Sequence, residues 1–306
     1  MLALVGVIIT FSLVNARFLS SLNIQGIIVS ASISAVTGLG MTLIIAMRAL
    51  DLSVGSIMGF SAIIAAQLLA IGYPLWLVIV IGLLVGAGLG LFNGLLCVLL
   101  RMPSFVATLA TLSMILGGEL LVTHGRTVTI RNPMFNHIVI ANIGGYLPAA
   151  AVIAAVMFGF IWLVFQRTPF GRHVAAIGGD IRAAIGAGIN VSRVTVGAFV
   201  LIGFCAGLSG LMTGAELQNA DSTVGAGSEL TAIAVVVVGG TSLMGGRGNL
   251  FGTIVAAVLL AAIKAGLNVA NVASLYEDLA FGGILIIALM MDGLRRGTGR
   301  KGMLVV

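Results

Sequence analysis

Long apolar runs separated by short connections fill most of this 306-residue chain. Hydrophobic residues make up 60% of it and charged residues only 8%, too few to give a soluble globule a polar surface. A bilayer core about 30 Å thick needs roughly 20 apolar residues per helix, and backbone groups in lipid must be satisfied within the helix. The sequence therefore predicts an all-α, polytopic membrane protein.

We expect about ten membrane-spanning helices, some of them interrupted, because the runs are too long for barrel strands and strand-period alternation is absent. The predicted spans cover residues 1–22, 25–47, 53–71, 75–100, 104–123, 148–166, 194–215, 229–244, 249–268 and 274–291. These spans use most of the chain, which leaves no room for a soluble catalytic domain. The sequence predicts one transmembrane domain over residues 1–306.

Lys and Arg concentrate in every second connection, which sets the expected orientation, since basic residues favour the cytoplasmic side. The inner connections would hold Arg48, Arg101, Arg167, Arg172, Arg182, Arg193, Arg247, Arg295, Arg296, Arg300 and Lys301. Arg17, Arg126 and Arg131 would lie outside. This distribution accounts for the net charge of +6 without nucleic acid, so no nucleic-acid partner is expected.

Glycine is unusually frequent, at 43 residues. Gly82, Gly86 and Gly90 lie four residues apart, so they share one helix face and allow another backbone to approach closely. We interpret this stripe as packing between helices of a compact bundle rather than as a solute contact.

The inner connection, residues 167–193, contains a short predicted helix. Pro169 and Gly171 are expected to break the preceding helix. Gly178-Gly179-Asp180 predicts a turn, with Asp180 as the N-cap of an amphipathic helix over residues 181–186 that a glycine terminates. This helix could anchor at the membrane surface or dock a soluble partner, and composition alone slightly favours the anchor.

Two further breaks are small and polar, at residues 51–56 and 239–246. Each separates apolar runs in its own half of the chain. Interrupted helices in corresponding places of two halves often mark a transport pathway.

Chemical motifs are sparse. No Walker A sequence occurs, the three histidines lack metal-ligand spacing, and Cys97 and Cys205 lie in separate spans. The polar residues predicted within spans are Asn93, Glu119, Lys264 and Asn268. Because burial in lipid is costly, the asparagines are expected to bond between helices, and a deep Glu119 and Lys264 would need mutual pairing or a cavity.

Four blocks of sequence occur in a recognisable order. They are GMTLIIAMRALDLSVGS (Gly40–Ser56), PSFVATLATL (Pro103–Leu112), FGRHVAAIGGDIRAAIGAGINVSRV (Phe170–Val194) and GAGSELTAIAVVVVGGTSLMGGRGNLFGT (Gly225–Thr253). With them, the chain from about Val5 to Asp292 resembles the membrane permease subunit of bacterial ATP-binding-cassette (ABC) importers for simple sugars, in the ribose-type branch.

The resemblance implies an ABC-importer permease fold in the bacterial inner membrane. It also implies pairing with a second permease subunit, as a homodimer or a heterodimer. Two ATP-binding subunits would dock inside and a periplasmic sugar-binding protein outside. ATP and Mg would then belong to the partner ATPase, and this chain would be a non-enzyme with no cofactor or metal of its own.

On the same resemblance, the connection 167–193 becomes the segment that couples to the ATPase, rather than an anchor. Its candidate coupling residues are Gly171, Arg172, Gly178, Asp180, Arg182 and Gly188. The candidate residues of the solute pathway are Phe105, Thr108, Thr241, Ser242 and Asn268. Each hydroxyl or amide could exchange hydrogen bonds with a sugar, although for any single one of them we favour a role in helix packing or capping.

Some positions depart from the family's usual residues. Glu119 follows Gly117-Gly118, where an Arg-Gly pair is usual, Thr231 replaces an aspartate, and Lys264 replaces an asparagine. Because these changes add an acid and a base to the transport path, the resemblance does not identify the solute, which could be another pentose, a hexose, a polyol or a furanose.

Three alternatives stay open on the sequence. A stand-alone secondary transporter or channel for a small polar solute would use Glu119 and Asp51 as its deep acids. A branched-chain amino-acid permease is the nearest related class to exclude. A lipid-modifying membrane enzyme is disfavoured, because no nucleophile and base converge in the sequence.

Overall fold

The computed structural model describes residues 2–145 and 147–272, with isolated positions at 276, 279, 282, 283 and 286. Within these residues the chain forms twelve α-helices. They are α1 (Leu2–Val14), α2 (Ser21–Ala46), α3 (Val54–Ala70), α4 (Leu75–Leu99), α5 (Ser104–Thr123), α6 (Pro133–Ile140), α7 (Ala149–Trp162), α8 (Pro169–Gly179), α9 (Ile181–Gly186), α10 (Val191–Leu217), α11 (Ser228–Val238) and α12 (Leu250–Val269). The predicted all-α fold is confirmed.

Six of the described helices are long and apolar enough to cross a membrane: α2, α4, α5, α7 with its π-helical extension to Arg167, α10 and α12. Helices α1, α3 and α11 are apolar but shorter. The predicted span 274–291 falls where the structure describes only isolated positions. The interrupted spans are therefore α3 and α11, each next to one of the polar breaks.

Two predicted spans are wrong in extent. The run 1–22 divides at Asn15, whose Oδ1 accepts a hydrogen bond from the Arg17 amide, and a 3₁₀ turn then leads to Ser20 at the start of α2. The run 229–244 ends as a helix at Val238, because Gly239 and Gly240 follow and Gly240 adopts a φ of +88°. Local capping and glycine conformation override the hydropathy at both places.

Helix α2 forms the centre of the bundle. Every residue from Ala35 to Met47 is buried, and the helix packs against α7, α10, α11 and α12. A helix that is apolar all round is expected in the interior, surrounded by other helices.

Helices α4 and α10 make the most extensive helix pair. The glycine stripe of α4 lies in this contact: a methyl group at Gly86 would overlap the Gly203 carbonyl oxygen and lie 2.7 Å from the Gly207 Cα. A methyl group at Gly90 would in turn overlap the Phe199 carbonyl oxygen. The stripe therefore packs one helix backbone against another, which confirms its interpretation as a packing surface.

The inner connection contains two helices rather than one. Pro169 occupies the first turn of α8, where its missing N–H costs nothing, so it begins a helix as well as interrupting one. Gly178 and Gly179 belong to α8, so the predicted turn is confined to Asp180. The predicted α9 and its cap are present: Asp180 Oδ1 accepts hydrogen bonds from the amides of Arg182 and Ala183.

Short strands tie the outer connections together. Strand β1 (Val128–Thr129) pairs antiparallel with β4 (Asn219–Ala220), while β2 (Asn142–Ile143) pairs with β3 (Leu147–Pro148). The first pair joins the segment after α5 to the segment after α10.

Candidate functional site

A cavity of about 590 Å³ lies between α2, α3, α10, α11 and α12. Its polar lining comes from Ser30, Ser34, Thr213, Glu216, Ser228, Thr231 and Lys264. Helices α10 and α12 contribute residues close to their ends, so with the predicted orientation the cavity occupies the outer half of the membrane. Its volume is within the usual range for small-molecule sites.

Three serine hydroxyls in this cavity have no hydrogen-bond partner within the described part of the chain. Ser30 and Ser34 lie one turn apart on α2, and Ser228 begins α11 across the cavity. Each is partly buried rather than fully exposed. Partly buried hydroxyls without protein partners can donate to and accept from a polar solute.

The charges of Glu216 and Lys264 act on each other in the cavity wall. Lys264 also lines a smaller adjoining cavity of about 400 Å³, together with Asn23, Ser30 and Asn268. The cavity therefore presents an acid and a base that attract each other, with hydroxyl and amide groups around them.

Glu119 and Lys264 do not pair. Glu119 is fully buried in α5, and both of its carboxylate oxygens lack a hydrogen-bond partner among the described residues. It lies against α3: a methyl group at Gly59 would be 2.5 Å from Glu119 Oε1 and 2.6 Å from the Val224 carbonyl oxygen. Of the two expected arrangements, mutual pairing or a cavity, Lys264 has the cavity, whereas Glu119 is enclosed by protein.

The first break folds into a buried polar cluster. Asp51 Oδ1 accepts hydrogen bonds from the Ser53 amide (2.9 Å) and the Ser53 hydroxyl (2.6 Å). Asn93 on α4 donates from Nδ2 to Ser53 Oγ (2.7 Å). The expected interhelical hydrogen bond of Asn93 is therefore present, and it fixes the break against α4.

The predicted pathway residues of α5 lie away from the cavities. The Thr108 hydroxyl accepts a hydrogen bond from the Leu52 amide (3.1 Å) and donates to the Ser104 carbonyl (2.9 Å), so it fastens α5 to the first break. The Phe105 side chain on α5 is exposed, with 52% of its surface accessible, and it lines neither of the cavities described above.

Thr241 and Ser242 lie in the second break. The Thr241 hydroxyl is buried and accepts a hydrogen bond from the Asn249 amide (2.9 Å), next to the start of α12. The Ser242 carbonyl accepts a turn hydrogen bond from Gly245. Of the predicted pathway residues, Asn268 is the one placed in a cavity wall, and the transport role of all five stays a prediction.

The predicted coupling residues gather on α8 and α9. A methyl group at Gly171 would overlap the Phe165 carbonyl oxygen, which explains a glycine there, and Gly188 follows α9 with a φ of +78°. Arg172 and Arg182 are exposed. Gly178 is buried against the end of α2.

The segment between α10 and α11 carries the outer wall of the cavity. Asp221 Oδ2 accepts a hydrogen bond from the Thr127 hydroxyl (2.9 Å), and the Thr223 hydroxyl donates to Asp221 Oδ1 (2.6 Å). These bonds, with that from Thr223 first, hold the pKa of Asp221 below its ordinary value. The segment is therefore fixed at the surface before it leads inward to Ser228.

Sequence reasoning missed Ser30, Ser34, Thr213 and Glu216 as cavity residues. The available signal was weak: Ser30 and Ser34 are two hydroxyls at i and i+4 in an apolar run, which also suits ordinary helix packing. Their common cavity depends on how five helices pack.

Comparison with known proteins fits this architecture. The family described as branched-chain amino acid transport system / permease component matches residues 23–289. No solved structure matches the chain.

Several curated proteins are similar over nearly the whole chain. The ribose import permease protein RbsC of Haemophilus influenzae is 36% identical, over 95% of this chain and 91% of that protein. The L-arabinose ABC transporter permease protein AraH of Azospirillum brasilense is 32% identical, over 95% and 86%. The D-allose transport system permease protein AlsC of Escherichia coli is 32% identical, over 92% and 87%. The chain has apolar helices and interrupted spans, and it matches the family model and these sugar permeases over nearly its whole length. It therefore belongs to the family described as branched-chain amino acid transport system / permease component, and it is a multi-pass protein of the inner membrane.

Proposed function

We propose that this chain is the permease subunit of an ABC importer for a neutral monosaccharide. The observation that carries the proposal is the hydroxyl-lined cavity, in which Ser30, Ser34 and Ser228 have no partner among the described residues. A sugar presents several hydroxyls that both donate and accept, so unpaired serine hydroxyls in a partly apolar cavity suit it. Their number also allows weak, exchangeable binding, which a translocation pathway requires.

A neutral solute is favoured by the charges in the cavity. Glu216 and Lys264 act on each other, so the described part of the wall carries an acid and a base rather than charge of one sign that would attract a sugar acid or a sugar phosphate. The similar proteins carry the names of ribose, L-arabinose and D-allose permeases, and these three sugars are neutral. We infer an aldopentose or aldohexose as the solute class.

The energy would come from a separate ATP-binding subunit that holds ATP and Mg. Helix α9 buries Ala184 and exposes Ile181 and Ile185, at 50% and 60% accessible surface, beside the exposed Arg182. A cytoplasmic helix with an exposed apolar pair next to a basic residue suits docking to a soluble protein. A second permease subunit and a periplasmic sugar-binding protein would complete the transporter.

Uptake by proteoliposomes tests the proposal. The complete transporter, purified through a tag on this chain, is reconstituted with ATP inside and labelled D-ribose, L-arabinose, D-allose or D-ribose 5-phosphate outside with the binding protein. We expect co-purification of an ATP-binding subunit and ATP-dependent accumulation of at least one neutral sugar, with none of the phosphate ester. Accumulation by this chain alone, driven by an ion gradient, would instead establish a secondary transporter.

A further inference from the structure

The second polar break and the inner connection meet at the cytoplasmic end of α2, five residues before the first break. The Ala46 carbonyl, at the last residue of α2, accepts a hydrogen bond from the Gly246 amide (2.8 Å) in the second break. Residues 47–50 lead from Ala46 to the first break, which starts at Asp51. The Ala46 carbonyl therefore lies five residues before the first break and accepts a hydrogen bond from the second.

Helix α8 packs against the same carbonyl. A methyl group at Gly178 would overlap the Ala46 carbonyl oxygen and lie 2.6 Å from the Gly246 nitrogen. A methyl group at Gly245 would lie 2.7 Å from the Gly178 carbonyl oxygen. The three segments thus touch through their backbones, with no side chain between them.

An arginine adds a fourth tie. Arg48, two residues past the end of α2, donates from Nε to the Met244 carbonyl in the second break. Its side chain also lies against Gly245. We name the group formed by Ala46, Arg48, Gly178, Gly245 and Gly246 the Ala46 junction.

Both breaks lead from this junction to functional parts of the molecule. Residues 47–50 lead to the first break, in which the Ser53 hydroxyl donates to Asp51 and accepts a hydrogen bond from Asn93 on α4. The second break joins α11, which contributes Ser228 and Thr231 to the cavity wall. A displacement of α8 would therefore act on both.

We propose that the Ala46 junction transmits the movement of the coupling segment to the two breaks, and that Gly178 and Arg48 are positioning residues for transport. Backbone contacts without intervening side chains are stiff, because there is no rotamer that could absorb a displacement. The inference rests on the proposed function, since the movement would come from an ATP-binding subunit docked on α8 and α9.

Adjacent glycines provide the test. The complete transporter is prepared with Gly178→Ala or Gly179→Ala, because Gly179 is exposed and a methyl group there meets no atom within 4 Å. We expect Gly178→Ala to retain the ATP-binding subunit and to hydrolyse ATP, while the sugar moved per ATP falls about tenfold, since an overpacked contact costs enough to shift a two-state equilibrium by that factor. Gly179→Ala should match the unmodified transporter. Equal sugar-to-ATP ratios in the two variants would overturn the inference.

A second pair of variants covers the case in which Gly178→Ala does not assemble. Arg48 and Arg101 are both exposed and both adopt positive φ, but Arg101 has no hydrogen bond to the rest of the described chain. We expect Arg48→Ala to lower the sugar moved per ATP by about three- to tenfold, as for loss of one ordinary hydrogen bond at an exposed position, and Arg101→Ala to leave it unchanged. An unaffected ratio in Arg48→Ala contradicts the role of the junction.

The same preparation distinguishes a failure of the proposed function from a failure of the junction's role. If the unmodified chain recovers no ATP-binding subunit and moves no sugar with ATP, the proposed function fails. If the unmodified transporter couples ATP to sugar uptake, and Gly178→Ala and Arg48→Ala couple equally well, only the junction's role fails.

Discussion

Asn93 on α4 donates a hydrogen bond to the Ser53 hydroxyl across 2.7 Å, and this hydroxyl donates in turn to Asp51 Oδ1 across 2.6 Å. All three side chains are buried. The first break is therefore not a loose loop: one serine hydroxyl joins its carboxylate to a neighbouring helix.

Replacing Ser53 tests how much this cluster contributes to stability. Ser53→Ala would leave Asn93 Nδ2 without an acceptor and would remove one of the hydrogen bonds to Asp51 Oδ1. We expect the free energy of unfolding to fall by about 1–3 kcal/mol, because unmade hydrogen bonds in a buried site are costly. The measurement is thermal unfolding of the detergent-solubilised protein, followed by size-exclusion recovery after heating. Ser113→Ala is the control, since Ser113 is exposed and bonds to the Leu109 carbonyl of its own helix. Equal melting of the two variants would contradict the prediction.

The glycine contact between α4 and α10 gives a matched pair. Gly86→Ala would force a methyl group into the Gly203 backbone. We expect the free energy of unfolding to fall by about 1–3 kcal/mol because the contact is overpacked. Gly88→Ala, two residues along the same helix, places its methyl group where no atom lies within 4 Å. That control should be neutral or stabilised by about 0.5–1 kcal/mol from helix propensity. Thermal unfolding of both variants checks the prediction, and a tolerated Gly86→Ala would refute the close packing.

The cavity serines predict an effect on apparent affinity. Ser34→Ala removes one hydroxyl that lacks a partner within the described chain, so protein stability should change little. Loss of one hydrogen bond to the solute should raise the half-saturating sugar concentration for transport roughly 2–10-fold. Uptake kinetics in proteoliposomes provide the measurement, under conditions in which the permease step limits the rate.

A serine outside the cavity serves as control for this experiment. The Ser12 hydroxyl in α1 donates to the Ile8 carbonyl of its own helix at 2.6 Å, so Ser12→Ala should leave uptake unchanged. An unchanged half-saturating concentration in Ser34→Ala, for every sugar transported, would argue against contact between this serine and the solute.

The cap of α9 can be tested separately from the charge of Asp180. Asp180→Ala removes the acceptor for the Arg182 and Ala183 amides, and a lost N-cap costs about 0.5–2 kcal/mol, which a six-residue helix has little means to offset. We expect less ATP-binding subunit to co-purify with this variant. Asp180→Asn retains an equivalent cap, so the ATP-binding subunit should co-purify with it as with the unmodified chain. If Asp180→Asn is as defective as Asp180→Ala, the charge acts on the partner directly.

The sequence predicted those features that depend on local properties. The spans 75–100 and 104–123 agree with α4 and α5 to within one residue, because hydropathy and the prolines before each helix act locally. The Asp180 cap and the close-packing role of Gly86 were also predicted correctly, since each needs a pattern of only a few residues. The helical form of residues 169–179 was missed, because the glycine pair at its end suggested a turn.

Hydropathy, charge distribution and short motifs thus determined the membrane location, the helical class and the family of this chain. The tertiary structure alone decided which hydroxyls share a cavity, that Glu119 lies against α3 instead of pairing with Lys264, and that Gly178 contacts Ala46 and Gly246. The physical reason is that apolar helices in lipid choose their neighbours by close packing between segments far apart in the chain. No local pattern encodes that pairing, whereas burial in a bilayer constrains every run of about 20 residues by itself.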